Sequence, residues 1–112
     1  MQETVDFGKL IKEARKKRGY SQRKLAQALE VDYTYLSKWE NNRGAPKEEL
    51  IRQLARYLEL DEDELIFLAG RIPSEDEQLM KQHYQNMPLL FRRMRENPEF
   101  AAKIFQQVQE EE

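Results

Sequence analysis

The chain has no cysteine and a single histidine, His83. That excludes a disulfide framework, a thiolate metal site and a cysteine nucleophile, and one imidazole cannot by itself build a zinc or catalytic cluster. Valine occurs only at positions 5, 31 and 108, while Leu, Ala, Glu, Lys, Arg and Gln are abundant, a composition that favours helix over sheet. The longest uninterrupted apolar run, Leu65 to Ala69, is far short of the roughly 20 residues that span a bilayer. Met1 to Leu10 carries Glu3 and Asp6 and lacks a basic patch followed by an apolar stretch, so a secretory signal is not expected and the protein is expected in the cytoplasm. No nucleophile–base pair, glycine-rich phosphate loop or metal cluster can be assembled from these residues, so neither an enzyme nor a cofactor nor a metal is expected. At 112 residues the expectation is one domain with a short appended element.

What the chain has is charge, unevenly placed. The net charge of −2 conceals a stretch from Lys9 to Lys47 with 11 basic and 4 acidic residues, a net of +7, followed by residues 48–70 with a net of −5. Exposed charges more than about 10 Å apart are largely screened at 0.1 M salt, so a polyanion would be drawn to the first stretch alone. Taken in isolation, such a run reads first as a solvated helix face.

Apolar spacing divides the chain into short helices. Phe7, Leu10, Ile11 and Ala14 form one stripe, stopped by Gly19. Ser21 caps a second helix with Leu25, Ala26, Ala28 and Leu29 inward, interrupted at Val31-Asp32. A third helix opens at Asp32 or Tyr33, turns Leu36 and Trp39 inward, and ends in the turn formers of residues 41–46. Pro46 stands near the start of a fourth, with Leu50, Ile51, Leu54, Ala55 and Leu58 on one side. Asp61 caps a fifth, stopped by Gly70; the acids at 61–64 fit capping and the helix dipole better than cation binding. Ser74 with Glu77 in capping-box spacing opens a sixth helix to about Asn86, which Pro88 breaks. Leu89 to Glu96 is a short helical stretch, and Asn97-Pro98 starts a last helix to about Gln109, with the terminal glutamates fraying.

The second and third segments, two short helices joined by a tight turn, have the form of a helix-turn-helix. The major groove admits one α-helix, so a base reader must be a short helix standing proud of its core. Residues 33–42 meet that requirement: with Leu36 and Trp39 inside, Tyr33, Thr34, Ser37 and Lys38 point outward as base-edge candidates. Lys38 suits a phosphate or a guanine equally, Tyr35 suits packing or exposure, and Trp39 belongs to the core. His83, alone in a helix, carries no ligand role.

Ser21 to Asn41 resembles the helix-turn-helix of the phage repressor and Cro family, also called the XRE family, with Gln22, Leu25-Ala26, Val31, Leu36-Ser37 and Glu40-Asn41 as its hallmarks. The resemblance covers residues 7–68 and implies an all-α fold: a five-helix repressor-like DNA-binding domain at 7–70, with the motif at 22–41. It implies that Gln22 contacts a phosphate and braces the recognition helix, that Arg23, Asn41 and Arg43 contact backbone phosphates, and that Tyr33, Thr34, Ser37 and Lys38 face bases. It also implies an internal salt bridge between Arg15 and Glu40. Where many members have glycine in the turn, this chain has Glu30, at a cost of roughly 1 kcal/mol if the residue is left-handed. A carboxylate there also repels phosphate.

Beyond residue 70 the apolar surface exceeds what a five-helix core needs. Phe100, Ile104, Phe105 and Val108 stripe the last helix, and Leu90, Phe91 and Met94 form a second apolar segment. Residues 74–109 are accordingly read as a helical dimerisation extension, the alternative being that they fold back on the same chain. The functional expectation is a homodimeric repressor that binds a palindromic double-stranded DNA operator. The competing expectation is an antitoxin or adaptor whose C-terminal helices mask a partner protein; two well-capped helices in that region favour the repressor.

Overall fold

The computed structural model describes residues 5–110, and all regular structure among them is helical: α1 (Phe7–Lys17), α2 (Gln22–Leu29), α3 (Tyr33–Glu40), α4 (Glu48–Leu58), α5 (Glu62–Leu68), α6 (Ser74–Gln82), α7 (Asn86–Glu96) and α8 (Pro98–Glu110). The readings of Met1–Thr4 and of the last two glutamates fall outside the described residues. The chain divides into two compact units, one ending at Pro73 and one beginning at Ser74.

In the first unit, every helix but α4 begins where a side chain satisfies a free N–H group of the first turn. Asp6, Ser21, Asp32 and Asp61 each accept from a backbone N–H two or three residues ahead. Helix ends are set by left-handed residues: Gly19 and Gly70 after α1 and α5, Glu30 and Glu59 directly after α2 and α4. One core joins the five helices, with Ile11, Leu25, Leu36, Ile51, Leu54, Leu58, Leu65 and Ile66 fully buried and Phe7 and Trp39 nearly so. α3 lies against both α1 and α2, and α4 packs beneath them and against α5.

Three boundaries differ from the sequence reading. α3 stops at Glu40 rather than residue 42, because Asn42 is left-handed (φ 58°) and the Arg43 N–H turns back to the Lys38 carbonyl at 2.8 Å. α4 starts at Glu48, two residues beyond Pro46, whose carbonyl accepts from Arg71 Nε at 2.8 Å as part of the connecting loop. Pro88 does not end a helix: α6 closes at Gln82, and Pro88 is the third residue of α7, where its missing N–H would have had no partner within the helix. The Asn86 and Met87 N–H groups instead bond the His83 carbonyl, both at 3.0 Å.

The second unit contains α6 and a hairpin of α7 with α8. Asn97 Oδ1 accepts from the Phe100 N–H at 3.1 Å, with Pro98 at the first helical position. The Arg93 guanidinium lies 4.4 Å from the Phe100 ring centroid and links the two helices. No residue of α6, α7 or α8 is fully buried.

Candidate nucleic-acid interface

α3 is held by its buried side and presents the other. Leu36, Trp39 and Glu40 are buried, Ser37 is partly buried, and Tyr33, Thr34, Tyr35 and Lys38 are exposed. The turn before it is closed by Glu30 in the left-handed conformation (φ 58°, ψ 42°), with the Val31 N–H bonded to the Ala26 carbonyl at 3.0 Å. The short Glu30–Asp32 connection thus fixes α3 relative to α2, and Val31 packs on the core.

Below α3 lies a polar anchor. Arg15 donates to both Glu40 carboxylate oxygens, Nε to Oε2 at 2.6 Å and Nη2 to Oε1 at 3.1 Å, and its Nη1 reaches the Tyr20 carbonyl at 2.8 Å. Gln22 Nε2 donates to Glu40 Oε1 at 3.0 Å, which ties the first residue of α2 to the last of α3. A buried ion pair is tolerable only with its remaining valences satisfied, and this one is: the described residues include no buried side-chain polar atom without a partner.

The expected contact residues occupy distinct places. Asp32 Oδ1 accepts from both the Thr34 N–H and the Thr34 hydroxyl, at 2.9 Å each, so the hydroxyl proton of Thr34 is already engaged. These two bonds hold the Asp32 carboxyl below the usual carboxylate range, with a smaller electrostatic contribution from Arg23. Arg23 stacks on Tyr33, its guanidinium 4.1 Å from the ring centroid. Lys38 lies 5.8 Å from the Tyr35 centroid, and Tyr35 leans on Trp39 at 6.2 Å between rings. Asn41 Nδ2 caps the Ser37 carbonyl at 2.8 Å, leaving one amide proton outward, and Arg43 is exposed in the turn after α3.

The basic stretch is only partly available to an anion. Arg15 is buried, and Arg18 is engaged by the Leu58 carbonyl at 3.0 Å and Glu59 at 2.8 Å. Lys12, Lys16, Lys17, Arg23, Lys24, Lys38, Arg43 and Lys47 are exposed. The acidic stretch is knitted together by arginine: Arg52 pairs with Glu48, Glu62 and Asp63, and Arg56 with Glu62. Hydrogen bonds from these two arginines hold the Glu62 carboxyl below its ordinary range. Among the described residues no group of three or more His, Cys, Asp or Glu side chains is placed to hold a metal ion, and no helix is long and apolar enough to cross a membrane.

Two residues that support the interface were not singled out in the sequence. Asn42 accepts from the Gly8 N–H at 2.8 Å and donates to Asp6 at 3.1 Å, pinning the start of α1 to the end of α3. Gly8 lets the two backbones meet: a Cβ there would collide with the Glu40 carbonyl oxygen and lie 2.8 Å from that of Trp39. A glycine inside an amphipathic helix was the available signal.

The helix-turn-helix family model matches residues 11–65, the segment that carries the core, the Arg15–Glu40 pair and α3. Residues 11–65 belong to that family of DNA-binding domains, in its repressor-like form; the family is one of transcription regulators, not of enzymes. It is similar to the DNA-binding domain of the P22 C2 repressor, with 28% identity and a TM-score of 0.53 over 58% of this chain and 86% of that one. The HTH-type transcriptional activator BcrR of Enterococcus faecalis is 29% identical over 62 residues, which are 55% of this chain and 30% of BcrR. The match therefore spans under a third of that relative. A chain from the SinR protein/SinI protein complex is 25% identical with a TM-score of 0.50, over 87% of this chain and 98% of that one. The clp gene regulator ClgR of Corynebacterium glutamicum, at 22% identity and a TM-score of 0.50, shares the fold.

Proposed function

We propose that the protein is a sequence-specific transcriptional repressor that binds double-stranded DNA as a homodimer and recognises a palindromic operator through α3. The observation that carries this reading is the two-sidedness of α3: Leu36, Trp39 and Glu40 fix it to the domain while Tyr33, Thr34 and Lys38 remain exposed. Ser37, partly buried on the same helix, is the fourth base-edge residue. Gln22, Asn41 and Arg43 lie around its two ends as phosphate contacts, and the exposed lysines of α1 and α2 add salt-dependent affinity. The similarity to the P22 C2 repressor supports repression by occupancy of the operator.

The second unit is assigned to dimerisation. Phe91, Phe105 and Val108 are 50%, 56% and 68% exposed, and Leu90, Met94, Phe100 and Ile104 are only partly covered. Apolar surface of this kind on a small helical hairpin calls for a partner, and a second copy would place two recognition helices about 34 Å apart in successive major grooves. A second reading has its own observation: the similarity to a chain of the SinR/SinI complex covers more of this protein than the first unit alone, which supports an adaptor or antitoxin whose C-terminal helices bind another protein.

Titration of a selected duplex and of its scrambled counterpart at one salt concentration tests the proposal. Preference for the selected duplex by about 10³ or more is expected. Equal affinity for both would overturn it.

A further inference from the structure

α3 has one cation of its own on its exposed side, Lys38, and a second reaches it from α2. Arg23, the second residue of α2, lies over the ring of Tyr33, the first residue of α3, with 4.1 Å between guanidinium carbon and ring centroid. Both side chains are exposed. Stacking covers one face of the guanidinium and restricts its rotamers without engaging its in-plane N–H donors. Among the described residues no hydrogen bond or ion pair engages that fork. Asp32, next to Tyr33, attracts Arg23 electrostatically while its own Oδ1 is fixed by Thr34. The fork is therefore gathered at the N-terminal end of α3, the end of a recognition helix whose residues meet base edges. A planar pair of donors at that place matches the O6 and N7 acceptors of guanine.

We propose that Arg23, stacked on Tyr33 as its platform, is a specificity-determining residue that reads a guanine in each half-site through O6 and N7. This rests on the DNA-reading function of α3 and replaces the phosphate role that the family resemblance implies for Arg23.

The test is selection of bound duplexes from a random pool with the full chain and its Arg23→Ala, Tyr33→Leu and Tyr33→Phe variants, followed by salt titrations; thermal melts check that each variant folds. Guanine is expected at one fixed position of the half-site for the parent protein. Arg23→Ala loses that preference, its affinity for the guanine duplex falling about five- to a hundredfold, with little change when another base stands there. Tyr33→Leu weakens the same position and no other guanine, and Tyr33→Phe, which keeps the ring, retains it. Uniform loss across all sequences with a salt slope reduced by about one would make Arg23 a phosphate contact and overturn the proposal. Unchanged selection by Arg23→Ala would also overturn it. A parent protein that selects no sequence would instead remove the DNA-reading function on which the proposal rests.

Discussion

Arg15 and Glu40, 25 residues apart in the chain, meet in a two-pronged ion pair inside the first unit, with side chains 9% and 2% exposed. The pair spans the interval between the first helix and the last residue of α3, and Gln22 joins it from the start of α2. It sets the position of α3 from within, leaving the outer face of that helix free of structural duty.

Removing one partner leaves the other buried and charged, so Glu40→Ala is expected to destabilise the domain by about 3–5 kcal/mol. Urea unfolding followed by circular dichroism measures this. Replacing both residues by apolar ones of similar volume should cost clearly less than the sum of the single changes. A Glu40→Ala loss below 1 kcal/mol would show that the pair does not anchor α3.

Gly8→Ala forces a methyl group into the carbonyls at the end of α3, so α1 must move away or α3 must shift. Overpacking of this kind costs about 1–3 kcal/mol, and each kcal/mol lowers the melting temperature of a domain this size by roughly 4–8 °C. A melt at unchanged temperature would contradict the close approach of the two backbones.

The proposed function divides the work on DNA between Lys38 and Arg43. Lys38→Ala is expected to lose about 1–3 kcal/mol at one base step of the operator. Arg43→Ala weakens operator and random duplex alike and reduces the salt slope by about one. Anisotropy titrations on both duplexes at three salt concentrations separate the two behaviours, and equal losses on both duplexes for both variants would refute the division.

Acid should loosen the start of α3 through Asp32. Its carboxyl titrates below the usual range because the folded protein donates two hydrogen bonds from Thr34 to the charged form. A lowered folded-state pKa means that the stabilisation is fully present above the unfolded value, about 3.9, and is lost as pH falls through the folded value. Melting temperatures measured from pH 6 downward should therefore fall less steeply in Asp32→Asn, which cannot titrate, than in the parent protein. Parallel curves would show that the Asp32 cap contributes nothing to the acid response.

The five helices of the first unit were legible from local signals: apolar residues at helical spacing in each, a capping Ser or Asp before all but α4, and a turn at the end. Of the residues expected outward on α3 once Leu36 and Trp39 face inward, Tyr33, Thr34 and Lys38 are exposed and Ser37 is partly buried, while Tyr35, which the sequence left open, is exposed. Contacts between distant residues left no such trace. Nothing local marks Asn42 as the partner of Gly8, 34 positions away, and the stacking of Arg23 on Tyr33 depends on the angle that the Glu30 turn imposes between α2 and α3. Pro88 was misread because proline both ends helices and begins them, and only the position of the preceding turn distinguishes the two. The Glu30 departure from glycine proved harmless to the geometry, since the residue takes the left-handed conformation itself.

Selection of bound duplexes from a random pool, followed by sedimentation of the protein with the winning sequence, tests the central claim most directly. A homodimeric reader predicts a palindrome with half-sites about one helical turn apart and two protein chains on each duplex. A pool that stays random, or a protein that remains a monomer at micromolar concentration with and without DNA, would contradict it.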